Sequence, residues 1–288
     1  MASVLNTNMA SISAQRYLTT AQNKLGASFE KLSSGSRINR AQDDAAGMGI
    51  SQKLTASINS TSVAMRNAND AIGVLQTAEG ALTEISTMLQ RFRELSVQGS
   101  NPALSGEQLS FLKTEMTGLK DEMIGIAGRT KFNGISLLSA STGLQFQTGE
   151  APTDKLTVQT VILFSGSTAG NGFAQLGALA VSLVGEIPAA SAVSSGNFSS
   201  LIGSIDSAIS EVATQRATFG SQVNRLGHNI NNLTALYENL SAANSRVMDT
   251  DYANETANLT KTQILQQAAT AMLSQANSQP NVVLALLK

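Results

Sequence analysis

The chain has 288 residues, of which 42% are hydrophobic and only 14% are charged, and its net charge is −1. The absence of cysteine and the presence of a single histidine, His228, exclude thiol catalysis, disulfides and zinc sites built from Cys and His. The near-neutral charge gives no indication of a nucleic-acid partner. Because an average soluble domain carries roughly 25% charged residues, the low charge suggests that much of this surface faces other protein.

The N-terminal segment lacks the basic cluster and apolar run of a secretory signal peptide. No stretch approaches the ~18 consecutive apolar residues of a membrane span. These features indicate a cytoplasmic protein unless a dedicated export machine is used. The segment predicts instead an amphipathic helix, because its apolar residues recur at helical spacing. They are Leu5, Met9, Ile12, Leu18, Leu25, Phe29 and Leu32.

A charged stretch with several glycines follows, reading SSGSRINRAQDDAAGMG at 33–49. Paired carboxylates such as Asp43 and Asp44 can bind a metal or share acid–base work, but no third ligand or positioned partner accompanies them. Carboxylates are also favoured at helix starts, by capping and by the helix dipole. The GMG triplet lacks the preceding strand and the third glycine of a dinucleotide site. The stretch therefore predicts a joint between two helices.

Two apolar seams with the 3.5-residue period of supercoiled helices come next. The first predicts a helix over about 45–99, ended by GSNP, with Glu79 and Ser86 interrupting one column of the seam. Its other positions are Ile58, Thr61, Met65, Ala68, Ile72, Leu75, Leu82 and Leu89. The second seam predicts a helix ended by GRTKFNG, and it consists of Leu109, Leu112, Met116, Leu119, Met123 and Ile126.

Residues 131–165 change in character. The segments GLQFQTG and DKLTVQTVILF alternate apolar and polar residues with EAPT between them, which predicts a β-hairpin. Residues 165–198 are rich in Gly, Ala and Ser, and we expect loops there with one short helix near 172–184.

The most regular seam lies in the C-terminal half, and Arg216 is its one position that is not apolar. The seam consists of Ile202, Ile205, Ile209, Val212, Arg216, Phe219, Val223, Leu226, Ile230, Leu233, Tyr237 and Leu240. A guanidinium on a seam must reach an acidic group or water. We prefer Glu79 to Glu84 as its partner, since both Glu79 and Arg216 interrupt a seam. Such a pair would fix the axial register of the two longest helices. His228 lies off the seam, where a solvated or interface side chain is expected.

The C-terminal segment repeats the features of the N-terminal one. Its apolar residues include Leu265, Ala269, Met272 and Ala276, then Leu286 and Leu287 within VVLALL. Both ends carry few charges on any face, whereas a surface helix shows a charged side opposite its apolar stripe. The sequence thus predicts a mainly α protein, an elongated antiparallel helical bundle or coiled coil with a small β-hairpin region. Its ends are expected to need partners, including other copies of the chain.

Long segments of the chain resemble bacterial flagellin. They are LSSGSRINRAQDDAAGMGIS, LQRFRELSVQGSN, TKFNGISLL and SRVMDTDYANETANLTKTQILQQAATAMLSQAN followed by LLK. The likeness covers about 1–140 and 198–288. It implies a structural subunit, without enzymatic activity or cofactor, that self-polymerises into the extracellular flagellar filament used for motility.

The resemblance also implies a role for each segment. The end segments 1–42 and 251–288 would pair as coaxial helices in an inner tube and carry the self-assembly residues. Residues 43–165 and 198–250 would form an outer tube, and 166–197 a short variable surface segment. The self-assembly residues would be Leu5, Ile12, Leu18, Leu25, Leu32, Leu265, Met272, Leu286 and Leu287. The connector between the tubes would hold Arg37, Arg40, Asp43 and Asp44, which satisfy one another or neighbouring subunits.

Partners follow from the same resemblance. The chain would leave the cell unfolded through the flagellar type III channel, after an export chaperone has held its C-terminal segment. It would polymerise under a filament cap, next to hook-junction proteins, with no membrane or nucleic-acid partner. Some animal hosts carry a Toll-like receptor that recognises flagellin, and the matching positions are Arg91, Leu95 and Glu115, which are expected to project from the core.

Three other interpretations stay open on the sequence alone. A hook–filament junction protein shares related helical ends, although QILQQA and the FNG turn favour flagellin. A membrane-active amphipathic protein would need the Lys/Arg-rich polar face that this chain lacks. An enzyme using Asp43 and Asp44 would need further catalytic residues.

Overall fold

Helices dominate the structure. A computed structural model of the chain describes residues 7–139, 143–159 and 195–286. These residues form five helices, α1 to α5, at Met9–Ser34, Ala45–Gly99, Gly106–Arg129, Ser195–Met248 and Tyr252–Leu286. The expected helix near 172–184 lies outside the described residues, as do Leu5 and Leu287. The mainly α fold class, a helical bundle with a small β region, is confirmed.

The helix ends follow from local sequence. The side chain of Asn8 caps α1 at its start, and Gly35 follows its end with a φ of +71°, a conformation that suits glycine. The end of α2 falls at Gly99, within the predicted GSNP stop. Ser105 and Gln108 form a reciprocal capping box at the start of α3.

The described strands form two antiparallel hairpins. The strands β1 to β4 are Lys131–Phe132, Ile135–Ser136, Gly143–Gln147 and Lys155–Gln159. The pairing of β3 with β4 confirms the predicted hairpin as far as Gln159. The short β1–β2 hairpin was not predicted separately. Its turn places Asn133 and Gly134 at φ of +48° and +80°, and an Asn-Gly pair is itself a hairpin signal.

The chain divides into two compact units. We call Met1–Ile58 with Glu238–Lys288 the terminal unit, and Asn59–Tyr237 the bundle unit. The long helices α2 and α4 each contribute residues to both units, so neither unit boundary coincides with a helix end. The segment boundaries expected at 42/43 and 250/251 stay a prediction.

Within the bundle unit, one predicted column of each of the α3 and α4 seams is buried. In α4 this column is Ile205, Val212, Phe219, Leu226 and Leu233, and in α3 it is Leu109, Met116 and Met123. The other predicted column is half-buried in both helices, at Ile202, Ile209, Arg216, Val223 and Ile230 in α4 and at Leu112, Leu119 and Ile126 in α3. The second buried column of α4 is instead Leu201, Ala208 and Gln222. The α4 seam opens towards its end, where Tyr237 is exposed.

The seam of α2 is rotated from its expected position. One predicted column is buried, at Thr61, Ala68, Leu75, Leu82 and Leu89. The second buried column is Ala64, Ala71, Ala78, Ile85 and Phe92, whereas Met65, Ile72, Glu79 and Ser86 are only half-buried. The expectation that Glu79 and Ser86 interrupt the core is therefore wrong, because both residues flank it. The true column begins with alanines, which give a weak hydrophobic signal.

Candidate functional site: the terminal helix pair

The helices α1 and α5 pack along a seam of small side chains. The buried positions of α1 recur one heptad apart at Ala14, Ala21 and Ser28, and those of α5 at Thr262, Ala269 and Ala276. The Cα atoms of the two helices approach within 8 Å along the pair. Small residues permit this close approach but bury little apolar area.

Polar contacts at both ends set the antiparallel alignment of this pair. The Nδ2 of Asn8 donates to the Ala276 carbonyl at 2.7 Å, and the Ser11 hydroxyl lies 2.8 Å from Asn277 Oδ1. At the opposite end, the Tyr252 hydroxyl donates to the carbonyl of Leu32 at 3.3 Å.

The large apolar side chains of the pair remain in contact with solvent. Met272 is 65% exposed, Ile12 is 52% exposed and Leu265 is 49% exposed. Among the side chains of these helices that the structure describes, the other exposed large apolar residues are Met9, Tyr17, Phe29, Tyr252 and Ile264. Leu18, Leu25 and Leu32 are half-buried beside the seam. The sequence therefore predicted only some of the outward-facing residues of the pair, among them Ile12, Leu265 and Met272. It gave no indication of Tyr17 or Ile264, nor of the buried Ala14, Ala21, Ser28 and Thr262, whose heptad spacing was the available signal.

An apolar groove runs between the two helices. Its volume is about 610 Å³, and Tyr17, Ala21, Leu265, Ala269 and Met272 are among the residues that line it. An apolar groove beside a row of exposed large side chains is typical of a surface that associates with protein.

The connector that follows α1 is hydrogen-bonded to the last residues of α4 and to the short connection between α4 and α5. The backbone N–H of Arg37 donates to the Met248 carbonyl at 2.6 Å, and its Nη2 donates to the Val247 carbonyl at 2.9 Å. The N–H of Thr250 donates to the Gly35 carbonyl at 2.9 Å, next to a β-bridge between Ser36 and Asp249. These contacts join the connection between α1 and α2 to the connection between α4 and α5.

The two adjacent carboxylates stabilise turns. Asp43 Oδ2 accepts from the N–H groups of Arg40 at 2.9 Å and Asn39 at 3.1 Å, and these bonds hold the pKa of the Asp43 carboxyl below its usual 3.8. Asp44 Oδ1 accepts from the N–H of Gly47 at 2.8 Å and so caps the start of α2. The interpretation of a helix joint agrees with this geometry.

The connector arginines have other partners than these carboxylates. Arg37 reaches a backbone carbonyl, and Arg40 Nε lies 2.9 Å from Glu30 Oε1. The Arg and Asp side chains of the connector therefore do not pair with one another within the chain, and the alternative, that they contact neighbouring subunits, stays a prediction. Asp43 instead accepts from the backbone N–H groups of Asn39 and Arg40, because these groups lie within the same turn.

The predicted receptor residues do not form one exposed set. Arg91 Nη2 lies 2.7 Å from Glu115 Oε1, and both side chains are half exposed. Leu95 is fully buried in the bundle core, so the expectation that it projects outward is wrong. Leu95 lies three positions after Phe92, which belongs to the buried α2 column that the sequence did not predict, so both side chains face the core.

The predicted register residues come close together within the bundle unit. Arg216 Nη2 lies 3.8 Å from Glu79 Oε1, and each side chain is 39% exposed. This separation permits an ionic attraction but exceeds hydrogen-bond length. The register role stays a prediction.

Within the described residues, no group of three or more His, Cys, Asp or Glu side chains could hold a metal ion. The same part of the chain contains no helix that is long and apolar enough to cross a membrane. A bundle with an open apolar helix pair is typical of a structural protein that assembles through its ends.

Comparisons with known proteins agree with this class. Residues 5–142 match the family described as the bacterial flagellin N-terminal helical region, and residues 202–287 match the bacterial flagellin C-terminal helical region. The chain is 39% identical to a flagellin of Bacillus subtilis over 303 residues, covering 99% of each chain. It is 35% identical to polar flagellin F of Vibrio parahaemolyticus over 376 residues, covering 100% of each. The chain belongs to the bacterial flagellin family, whose members are filament subunits.

Solved structures resemble the chain as well. A Bacillus cereus flagellin structure is 33% identical, with a TM-score of 0.47 over 62% of this chain and 94% of its own. A protein of Vibrio parahaemolyticus described as flagellar hook-associated is 15% identical, with a TM-score of 0.58 over 72% of this chain and 100% of its own. At 15% identity the second likeness concerns the fold alone.

Proposed function

We propose that this chain self-polymerises into an extracellular flagellar filament through its terminal helix pair. The observation that carries the proposal is the row of large apolar side chains that α1 and α5 expose on either side of their small-residue seam. Complete burial of a side chain that is half exposed would contribute about 1 kcal/mol. Many such side chains on neighbouring copies would together favour a polymer.

The same surface supports a subunit whose ends order as they assemble. A seam of Ala, Ser and Thr buries little apolar area, so α1 and α5 gain little from each other alone. Ordering a residue costs about 1–2 kcal/mol of backbone entropy. Contacts with neighbouring copies would offset that cost, as in other segments that fold on binding.

Export and capping belong to this proposal. An exposed apolar C-terminal helix is an aggregation hazard in the free chain. A chaperone that covers it before passage through the flagellar type III channel would remove that hazard. A filament cap and hook-junction proteins would then bound the polymer.

We infer that a host Toll-like receptor would contact Arg91 and Glu115 but not Leu95. The two side chains form one exposed ion pair on neighbouring helices, whereas Leu95 lies in the core. Alanine at Arg91 and Glu115 should reduce receptor activation by monomer that keeps its helicity. Unchanged activation would rule out this contact.

Polymerisation of Leu265 variants tests the assembly surface. Leu265→Asn places a polar amide in the groove, whereas Leu265→Met keeps an apolar side chain of similar size. Sedimentation of filaments from purified subunits should show loss of assembly for Leu265→Asn and near-normal assembly for Leu265→Met. Equal assembly by both variants would contradict the proposed surface.

A further inference from the structure

The methionines that the structure describes range from exposed to fully buried. Met272 on α5 and Met9 on α1 are each 65% exposed, whereas Met116 and Met123 in the bundle core are 0% and 1% exposed. Peroxides oxidise a solvent-exposed thioether to a sulfoxide, which is polar, and enzymes can reverse the reaction. Oxidation should therefore concentrate on the terminal helix pair.

We propose that Met272 is an oxidation site that controls assembly. Hydrogen peroxide converts its thioether to the sulfoxide in the free subunit, and the oxidised subunit is excluded from the polymer. In the assembled state the same side chain is covered and protected. This inference rests on the proposed self-assembly of the chain.

The chemistry requires only the peroxide. A lone pair on Met272 Sδ attacks one peroxide oxygen, an S–O bond forms and the O–O bond breaks. The departing hydroxide takes up the proton from the oxygen that is now bonded to sulfur, and it leaves as water. The sulfur loses two electrons and the peroxide gains them, so that atoms and charge balance.

The position of Met272 makes the product incompatible with burial. Its side chain lines the apolar groove with Tyr17, Leu265 and Ala269. A sulfoxide oxygen needs a hydrogen-bond donor once water is removed. The threonine hydroxyls that line the groove, at Thr20 and Thr262, already donate to carbonyls of their own helices, and the remaining side-chain donors of the lining are Ser13, Tyr17 and Lys24. A neighbouring subunit would thus have to remove water from a polar oxygen, which costs free energy unless one of these three donors replaces that water.

Met9 provides a matched control. It is as exposed as Met272, but it does not line the groove. If exposure alone decided the effect, both residues would matter equally. If the groove decides it, Met272 carries the effect.

The test treats purified full-length subunits with hydrogen peroxide and maps oxidation by peptide mass spectrometry. Met272 and Met9 should gain oxygen well before Met116 and Met123, and preformed filaments should protect Met272. Treated wild-type subunits should need about tenfold more protein to polymerise, a shift expected when a buried polar group lacks a partner. Treatment with methionine sulfoxide reductases should restore polymerisation.

Two variants complete the experiment. Treated Met272→Leu should polymerise as before treatment, and treated Met9→Leu should remain inhibited like the wild type. Normal polymerisation of wild type that carries oxidised Met272 would overturn the inference, as would equal inhibition of treated Met272→Leu. If Met272→Leu fails to polymerise untreated, the reductase rescue of wild type decides in its place. Untreated wild type that forms no filaments would instead contradict the proposed self-assembly.

Discussion

The terminal unit and the bundle unit share the same heptad spacing of buried residues but differ in the size of the side chains that they bury. In the bundle unit, large side chains such as Leu82, Phe92 and Phe219 fill the interior and are almost fully buried. In the terminal unit, Ala21 and Ala269 occupy the equivalent seam, while large side chains such as Met272 remain exposed. Heptad spacing therefore fixes which residues face a partner helix, and side-chain size decides whether the pair is complete alone or open to further partners.

Because of this difference in side-chain burial, the bundle unit determines the stability of the monomer and the terminal helix pair determines its assembly. The bundle unit buries enough large apolar groups to hold its helices together. The terminal pair leaves most of its comparable groups in solvent and relies on close backbone approach and a few polar contacts. Substitutions should therefore change monomer stability in one unit and polymerisation in the other.

The largest expected effect comes from two phenylalanines with opposite surroundings. Phe92→Ala removes a fully buried ring and should lower the free energy of unfolding by about 3–5 kcal/mol. Phe29→Ala removes a ring that is 52% exposed and should change it by about 0.5 kcal/mol or less, while impairing polymerisation. Denaturant unfolding of the monomer and filament sedimentation measure both effects. Similar destabilisation by the two variants would show that burial does not decide what each ring contributes to monomer stability.

Two glycines of α2 provide a smaller contrast within the bundle unit. A Cβ at Gly99 would lie 2.5 Å from Cδ1 of the buried Phe198 ring, so Gly99→Ala should cost about 1–3 kcal/mol through overpacking. Gly80 has nothing within 4 Å of such a Cβ, and Gly80→Ala should stabilise the helix by up to about 1 kcal/mol. Thermal unfolding of both variants should show melting shifts of opposite sign. A shift in the same direction would show that the Phe198 contact does not constrain this site.

In the terminal unit, a local pH effect is expected at the turn closed by Asp43. Bonds from the Arg40 and Asn39 N–H groups lower the Asp43 pKa below 3.8, so the stabilisation is complete above 3.8 and is lost as pH falls through the lowered value. The amide resonances of Asn39 and Arg40 should titrate with a midpoint below 3.8, and this titration should disappear in Asp43→Asn. A midpoint at or above 3.8 would contradict the assigned bonds.

The smallest expected effect concerns Arg216 and Glu79. Because both side chains are 39% exposed and their charged atoms lie 3.8 Å apart, their coupling should be about 0.2–1 kcal/mol. A double-mutant cycle with Arg216→Leu and Glu79→Leu measures it by thermal unfolding. If the effects of the two single substitutions on the free energy of unfolding simply add, the pair has no register role. A coupling of several kcal/mol would mean that the pair is far less solvated than the structure indicates.

The sequence predicted most of the helical architecture because large apolar residues mark a seam clearly. The structure agrees with one column of each of the α3 and α4 seams, with the GSNP stop and with the β3–β4 hairpin. One column of the α2 seam was assigned to the wrong residues, because the alanines of the true column, Ala64, Ala71 and Ala78, contribute little to a hydrophobicity pattern. Packing nevertheless buries them almost completely.

The candidate site was less predictable, for two physical reasons. The small residues of the terminal seam, such as Ala14 and Thr262, are selected by close backbone approach, which hydrophobic pattern does not measure. The partners of Arg37 and Asp43 are backbone groups, and a sequence shows no sign of which carbonyl or N–H a side chain will meet. Some outward-facing side chains, such as Ile12, Leu265 and Met272, were by contrast predicted because they are large and apolar.

Amide hydrogen exchange on a verified monomer and on the polymer shows directly whether assembly completes the terminal helix pair. We expect little protection of α1 and α5 in the monomer, strong protection of both in the polymer, and similar protection of the bundle-unit core in both states. Strong protection of α1 and α5 in the monomer, unchanged by polymerisation, would contradict this expectation, because the terminal pair would then be complete without its neighbours.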